Sequence, residues 1–171
     1  MELKFDNVGL IDNFLTDEEV KGLYHFFINK RYKINHTSLD TQQPSVCKQT
    51  AYYLTAEDLE HPTVSKVIKG IDRPFMRAYV QAYTPSTVPF PHKDVGMYTS
   101  VTFFHPKYDE TWGGDTILYD ERGLGIALQP TPGRLIAFPG GQIKHVGRPF
   151  NSLASIFRFI LIITSVPESK F

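Results

Sequence analysis

A mainly β chain with flanking helices, built on a double-stranded β-helix (jelly-roll) core of about eight strands, is the fold class that three features predict. From Arg77 onward the apolar residues recur with a period of two. Turn residues punctuate that pattern at short intervals, with Pro132-Gly133 and Pro139-Gly140-Gly141 the clearest. Before Arg77 the apolar period is that of helices.

The opening Asn7 to Phe14 reads as a short strand. Thr16-Asp17-Glu18-Glu19 has the form of a capping box, so Thr16 should start a helix. Val20, Leu23, Tyr24, Phe27 and Ile28 then supply one apolar face. A second helix is expected over Thr63 to Gly70, after Pro62. The polar stretch from Asn35 to Gln49 reads as a loop. Strands are predicted at Arg77–Tyr83, Pro91–Val95, Tyr98–His105, Asp115–Asp120, Leu124–Leu128, Arg134–Phe138, Ile143–Val146 and Leu153–Thr164. The 171 residues form one domain in this reading, with 1–76 as helical N-terminal support and 77–165 as the jelly-roll core.

Composition narrows the function classes. Lys plus Arg and Asp plus Glu number 18 each, so no net charge draws the chain to nucleic acid or an anionic membrane. The single cysteine, Cys47, has no partner for an internal disulfide and no metal-binding neighbours. The first residues lack a basic segment followed by an apolar run, and Phe159 to Ile163 is too short to span a bilayer. A cytoplasmic location is the expectation.

The first chemically informative triplet is His92-Lys93-Asp94. On a strand, residues i and i+2 face the same side, roughly 6.6 Å apart. An imidazole and a carboxylate can therefore converge on one ion while Lys93 points away. Two histidines and a carboxylate make the facial triad that leaves open positions on non-haem Fe(II). His145, just after the Pro139-Gly140-Gly141 turn, is the candidate third ligand. Taken alone, the triplet reads first as a strand-end histidine bonded to a carboxylate, and its place on a core strand together with His145 reverses that order.

Arg158 interrupts the apolar run Ser155 to Ile163. A buried guanidinium requires an anion. An acidic residue on a neighbouring strand is one source, and the carboxylate of a ligand is the other. By alternation Arg158 should share a face with Ile156, Ile160 and Ile162. Arg148 precedes Pro149 and is expected in a connection. Tyr79, Tyr98 and Tyr119 fit either a substrate groove or sheet packing. His25, His36, His61 and His105 lack partners at ligand spacing.

With these blocks in hand, the sequence resembles the 2-oxoglutarate/Fe(II) dioxygenase superfamily, most closely its prolyl 4-hydroxylase-like branch. The resemblance rests on the entry Gly9 to Glu19, on Phe103-Phe104-His105-Pro106 with Trp112-Gly113-Gly114-Asp115 and Leu118-Tyr119-Asp120, on Pro132 to Pro139 followed by His145, and on Arg158-Phe159-Ile160-Leu161. It implies Fe(II) on His92, Asp94 and His145, with these three as the catalytic centre. It implies 2-oxoglutarate with its distal carboxylate on Arg158, Tyr83 lining the cosubstrate pocket, and Thr102 as a second donor to that carboxylate. O2 would be the co-reactant and ascorbate an accessory reductant. The products would be succinate, carbon dioxide and a hydroxylated substrate, with peptidyl proline the substrate implied. Asp94 is the carboxylate that halogenating relatives lack. Three departures stand out: Arg158 follows His145 by thirteen positions, more than is usual; Thr84 to Pro91 replaces a glycine-rich approach to the His92-Lys93-Asp94 triplet; and Pro89 stands where prolyl hydroxylases often carry tyrosine. The alternatives are the same chemistry on a free amino acid or small metabolite, and a non-catalytic metal-binding jelly roll holding zinc or nickel.

Overall fold

Thr16 opens the first helix, α1 (Asp17–Phe27), through a complete capping box. The Glu19 amide donates to Thr16 Oγ1 at 3.2 Å and the Thr16 amide donates to Glu19 Oε2 at 2.8 Å. These bonds satisfy two of the orphan N–H groups that every helix start carries. Val20, Leu23 and Phe27 of α1 are buried as the spacing predicts, whereas Ile28 lies just past the helix and is 40% exposed.

The computed structural model of the chain describes residues 7–36, 49–85, 87, 89–94 and 97–166. In chain order the other elements are β1 (Gly9–Ile11), β2 (Lys33–His36), β3 (Gln49–Tyr53), α2 (Ala56–Leu59), α3 (Pro62–Gly70), β4 (Phe75–Tyr83), β5 (Tyr98–Phe103), β6 (Thr116–Tyr119), β7 (Gly125–Leu128), β8 (Leu135–Phe138), β9 (Lys144–Gly147) and β10 (Arg158–Ser165). All the strand pairs are antiparallel. The major sheet has the order β1-β8-β5-β10-β4-β3-β2, and the minor sheet β7-β6-β9. This is the jelly-roll architecture, with helices packed outside one sheet as the sequence predicts.

Alternation on the central strands divides the core in two. Ala78, Val80 and Ala82 of β4, with Phe159, Leu161 and Ile163 of β10, pack under α1 and α3. Tyr79 and Tyr83 of β4, Val101 and Phe103 of β5, and Ile160 and Ile162 of β10 face the minor sheet. Phe27 is fully buried against Phe104 and Tyr52. Its replacement by Ala should cost about 3–5 kcal/mol, read as a lower urea midpoint, because the rigid sheet beneath cannot collapse into the cavity.

Several expectations are corrected. The first 76 residues are not only helical: β1, β2 and β3 lie within them, and β2 and β3 extend the major sheet beyond β4. Asn35 and Gln49 belong to strands, while residues 37–48 between them lie outside the described residues. Pro91–Val95 is not a regular strand: His92 makes an isolated bridge to His145, and Val95 lies outside the described residues. The last strand starts at Arg158 rather than Leu153, because Asn151 folds the preceding segment into turns, its side chain accepting from the Leu153 amide and its carbonyl from the Ala154 amide. Among the described residues no helix is long and apolar enough to cross a membrane.

Candidate metal centre and its cavity

His92 and His145 exchange backbone hydrogen bonds, His92 N to His145 O at 2.9 Å and His145 N to His92 O at 2.8 Å. A hydrogen-bonded antiparallel pair sets its two side chains next to each other, and the rings lie 4.6 Å apart between centroids. In each ring Nδ1 faces the carbonyl two residues back, Phe90 O at 3.1 Å for His92 and Ile143 O at 2.9 Å for His145. The tautomer that suits these carbonyls is Nδ1–H, which leaves the Nε2 lone pair for an ion. His92 Nε2 is 3.7 Å from Asp94 Oδ1, and His145 Nε2 is 3.4 Å from Asp94 Oδ2.

The backbone fixes Asp94 as firmly. Its amide donates to Gly140 O at 2.9 Å, and Thr99 Oγ1 donates to Oδ2 at 2.5 Å. A Cβ at Gly140 would stand 2.8 Å from Asp94 Oδ2, so the Pro139-Gly140-Gly141 turn needs its first glycine there for close approach. Burial alone would raise the Asp94 pKa, but the His145 ring, the Thr99 hydroxyl and the nearby His92 hold it well below the ordinary carboxylate range. One donor atom from each residue, all lying within 4.8 Å of one another, forms a group that could hold a metal ion. Two nitrogen donors and one oxygen donor suit a first-row divalent cation.

The three residues stand in a narrow cavity between the two sheets. Arg158 lines its wall with no exposed surface. Its side chain bridges to the minor-sheet side: Nε donates to Gly114 O at 2.7 Å and Nη2 to Thr116 Oγ1 at 2.8 Å. The guanidinium lies over the Tyr83 ring at 4.8 Å and the Phe103 ring at 5.2 Å. Nη1 is buried without a hydrogen-bond acceptor. Among the described residues no carboxylate forms an ion pair with Arg158. An anion supplied by a ligand fits that orphaned N–H. Gly147 keeps the approach open, since a Cβ there would come within 3.2 Å of both Arg158 Nη1 and Tyr83 Oη.

The sequence-derived candidates divide by face. His92, Asp94, His145, Arg158 and Tyr83 all line the cavity. Thr102 does not. It sits opposite Leu161 on the helix-facing side of β5, fully buried, with a hydroxyl that bonds to nothing. Ile156 likewise leaves the expected face, because it precedes the strand and lines an outer groove with Phe157 and Phe159. Thr116, Thr99 and Gln81 are cavity residues that sequence reasoning missed. Thr116 pairs with Gly147 on β9, and Gln81 Oε1 accepts from the Tyr83 hydroxyl at 2.7 Å. Replacing Thr116 with Val should cost about 1–3 kcal/mol in urea unfolding, since it strands a second buried guanidinium N–H. Thr102→Val, which removes an unbonded hydroxyl, should leave stability equal or higher.

Tyr79 lines the cavity as well, whereas His105 and Arg148 lie outside it. His105 is fully buried, and its Nε2 lies 2.6 Å from Pro130 O. Burial, with Arg158 nearby, pushes its pKa down to about 4, so the ring is neutral at pH 7. Arg148 is exposed in the connection after β9, its amide donating to Asp115 O. That connection is the long spacing before Arg158. It is pinned by Phe150, which packs on Tyr108, His105 and Trp112.

No protein-family model and no curated protein matches the chain. Solved structures do. A viral collagen prolyl hydroxylase from Paramecium bursaria Chlorella virus-1 is 18% identical, with a TM-score of 0.67 over 98% of this chain and 96% of that one. A Trichoplax adhaerens prolyl hydroxylase, in complex with a hypoxia inducible factor oxygen degradation domain peptide fragment, is 14% identical, with a TM-score of 0.70 over 95% and 84%. HygX from Streptomyces hygroscopicus, with nickel and 2-oxoglutarate bound, is 8% identical, with a TM-score of 0.66 over 94% and 83%. The chain has the jelly-roll fold shared by prolyl 4-hydroxylases and 2-oxoglutarate/Fe(II) oxygenases.

Proposed function

We propose that the chain is an Fe(II)- and 2-oxoglutarate-dependent dioxygenase that hydroxylates peptidyl proline. The observation that carries this reading is the pairing of His92, Asp94 and His145 with a buried, unneutralised Arg158 in one cavity. A metal site alone would not need the second feature. Together they match a keto acid whose far end is a carboxylate.

His92 and His145 would hold the ion through Nε2, oriented by their Nδ1 bonds to Phe90 and Ile143. Asp94 would supply the anionic ligand, kept ionised and aimed by Thr99. Iron bound there supplies the activation of O2 coupled to oxidative decarboxylation of the cosubstrate. Arg158 would take the distal carboxylate in a region closed to water, where a charge-assisted pair is strongest. Tyr83 and Gly147 would shape its seat. The cosubstrate end of the cavity is therefore polar, while Ile160, Ile162, Val101 and Phe138 keep the rest of the wall apolar.

Peptidyl proline is supported by the fold shared with prolyl hydroxylases, one of them solved with a peptide fragment. The test is 2-oxoglutarate consumption with a panel of proline-containing peptides and free amino acids. Stimulation above the uncoupled rate, with one oxygen gained on proline, is the expected result. Stimulation by a free amino acid and by no peptide would transfer the same chemistry to a small metabolite. Absence of succinate under every condition would favour a non-catalytic metal-binding module.

A further inference from the structure

We infer that the outer end of this cavity docks a carboxylate carried by the substrate, with Arg77 as the residue that holds it. The inference rests on the function proposed above and adds the chemical class of the substrate.

Tyr79, Gln81 and Tyr83 of β4 all line the cavity. Arg77 is the next residue outward on the same face, opposite Thr164 of β10. It stands about 6.6 Å beyond Tyr79 along the strand, and its guanidinium carbon lies 5.3 Å from the Tyr79 ring centroid. Its Nε is buried and has no hydrogen-bond acceptor. Among the described residues, no Asp or Glu makes an ion pair with it. The stacking on Tyr79 holds the cation in place without neutralising it.

The surroundings select the partner. Tyr53 of β3 is paired with Tyr79, its ring 5.6 Å away, and is 44% exposed. Arg77 and Tyr79 are thus flanked by an aromatic surface open to solvent. Lys33 of β2 is exposed and sits in register with Ala51 and, through it, Gln81, on that same face. The strands β2, β3 and β4 contain neither Asp nor Glu. Asp94 is the sole acid lining the cavity among the described residues, and it faces the two histidines. Among the described residues, the approach to the candidate metal centre along these strands is therefore cationic and aromatic. A carboxylate beside an apolar segment is the ligand that matches both halves. It can be an acidic side chain next to the target residue of a peptide, or the α-carboxylate of a free amino acid.

Fluorescence anisotropy with short labelled peptides tests this directly. Each has a central proline flanked either by Glu or by Gln, and binding is measured to the whole metal-free chain. N-acetylproline and its amide serve as competitors. The wild-type protein should bind the Glu peptide at least about tenfold more tightly than the Gln peptide, and added salt should shrink that ratio. Arg77→Gln, checked for folding by circular dichroism, should bring the ratio within about twofold, with Arg77→Lys in between. Competition by N-acetylproline but not its amide, without peptide discrimination, would assign the carboxylate to a small molecule, provided that Arg77→Gln abolishes it. Equal binding of charged and neutral probes, no binding of any probe, or a charge preference that survives in Arg77→Gln would overturn the inference. The wild-type anaerobic spectrum with Fe(II) and 2-oxoglutarate separates the two levels. A chelate band without charge preference leaves the proposed function and removes only the docking site. A charge preference without the band does the reverse.

Discussion

Substitution of His92, Asp94 or His145 by Ala should each abolish Fe(II)-dependent succinate formation, with a loss of more than about a hundredfold. Each residue contributes one of three donors, and two donors cannot hold the facial geometry on which the open positions depend. The loss should therefore not follow exposure, although His92 is the more exposed of the two histidines. Metal content by elemental analysis and turnover at saturating Fe(II) are the measurements. Substantial turnover in the folded His145→Ala protein would move the third ligand elsewhere. His105 is a poor substitute, since its Nε2 is committed to Pro130.

Arg158→Gln should raise the apparent constant for 2-oxoglutarate by roughly 10- to 150-fold, while Arg148→Gln changes it less than about threefold. The first figure follows from losing a buried charge-assisted bond of about 1.5–3 kcal/mol. Arg158 is fully buried with Nη1 unpaired, whereas Arg148 is exposed in the connection after β9. Succinate formation against 2-oxoglutarate concentration reads both, with folding checked by circular dichroism. The opposite ranking would place the cosubstrate outside the buried end of the cavity.

Much of the site was legible because its logic is local. The i, i+2 spacing of His92 and Asp94 puts both on one side of an extended segment, even though that segment forms only a single bridge. Arg158 announced itself as a charge inside an apolar run. Thr102 lies on the opposite side from that expected because strand faces change with every residue, so an assignment by likeness that is off by one residue lands on the wrong face. Its neighbour Val101 and the nearby Thr99 face the cavity instead. Strands β2 and β3 are hard to read from sequence for a different reason. Lys33–His36 and Gln49–Tyr53 carry little periodic signal of their own and are held by pairing with each other and with β4. Conversely, Leu153 to Phe157 is apolar enough to read as strand, yet Leu153 is 72% exposed and Phe157 49%. The turn bonds of Asn151 decide that segment, and such bonds are hard to rank from composition. Thr116 gave no signal at all, because its role depends on the distance across the two sheets to Arg158.

In the proposed function, one cavity holds both a divalent iron and the keto acid it acts with. An anaerobic titration of the chain with Fe(II) and then 2-oxoglutarate tests it without any knowledge of the substrate. The expected result is a charge-transfer absorption band in the visible range that needs both additions and saturates at one equivalent of iron. It should vanish in His145→Ala and require far more 2-oxoglutarate in Arg158→Gln. Iron binding with no band at any 2-oxoglutarate concentration, or a band unchanged in both variants, would contradict the claim.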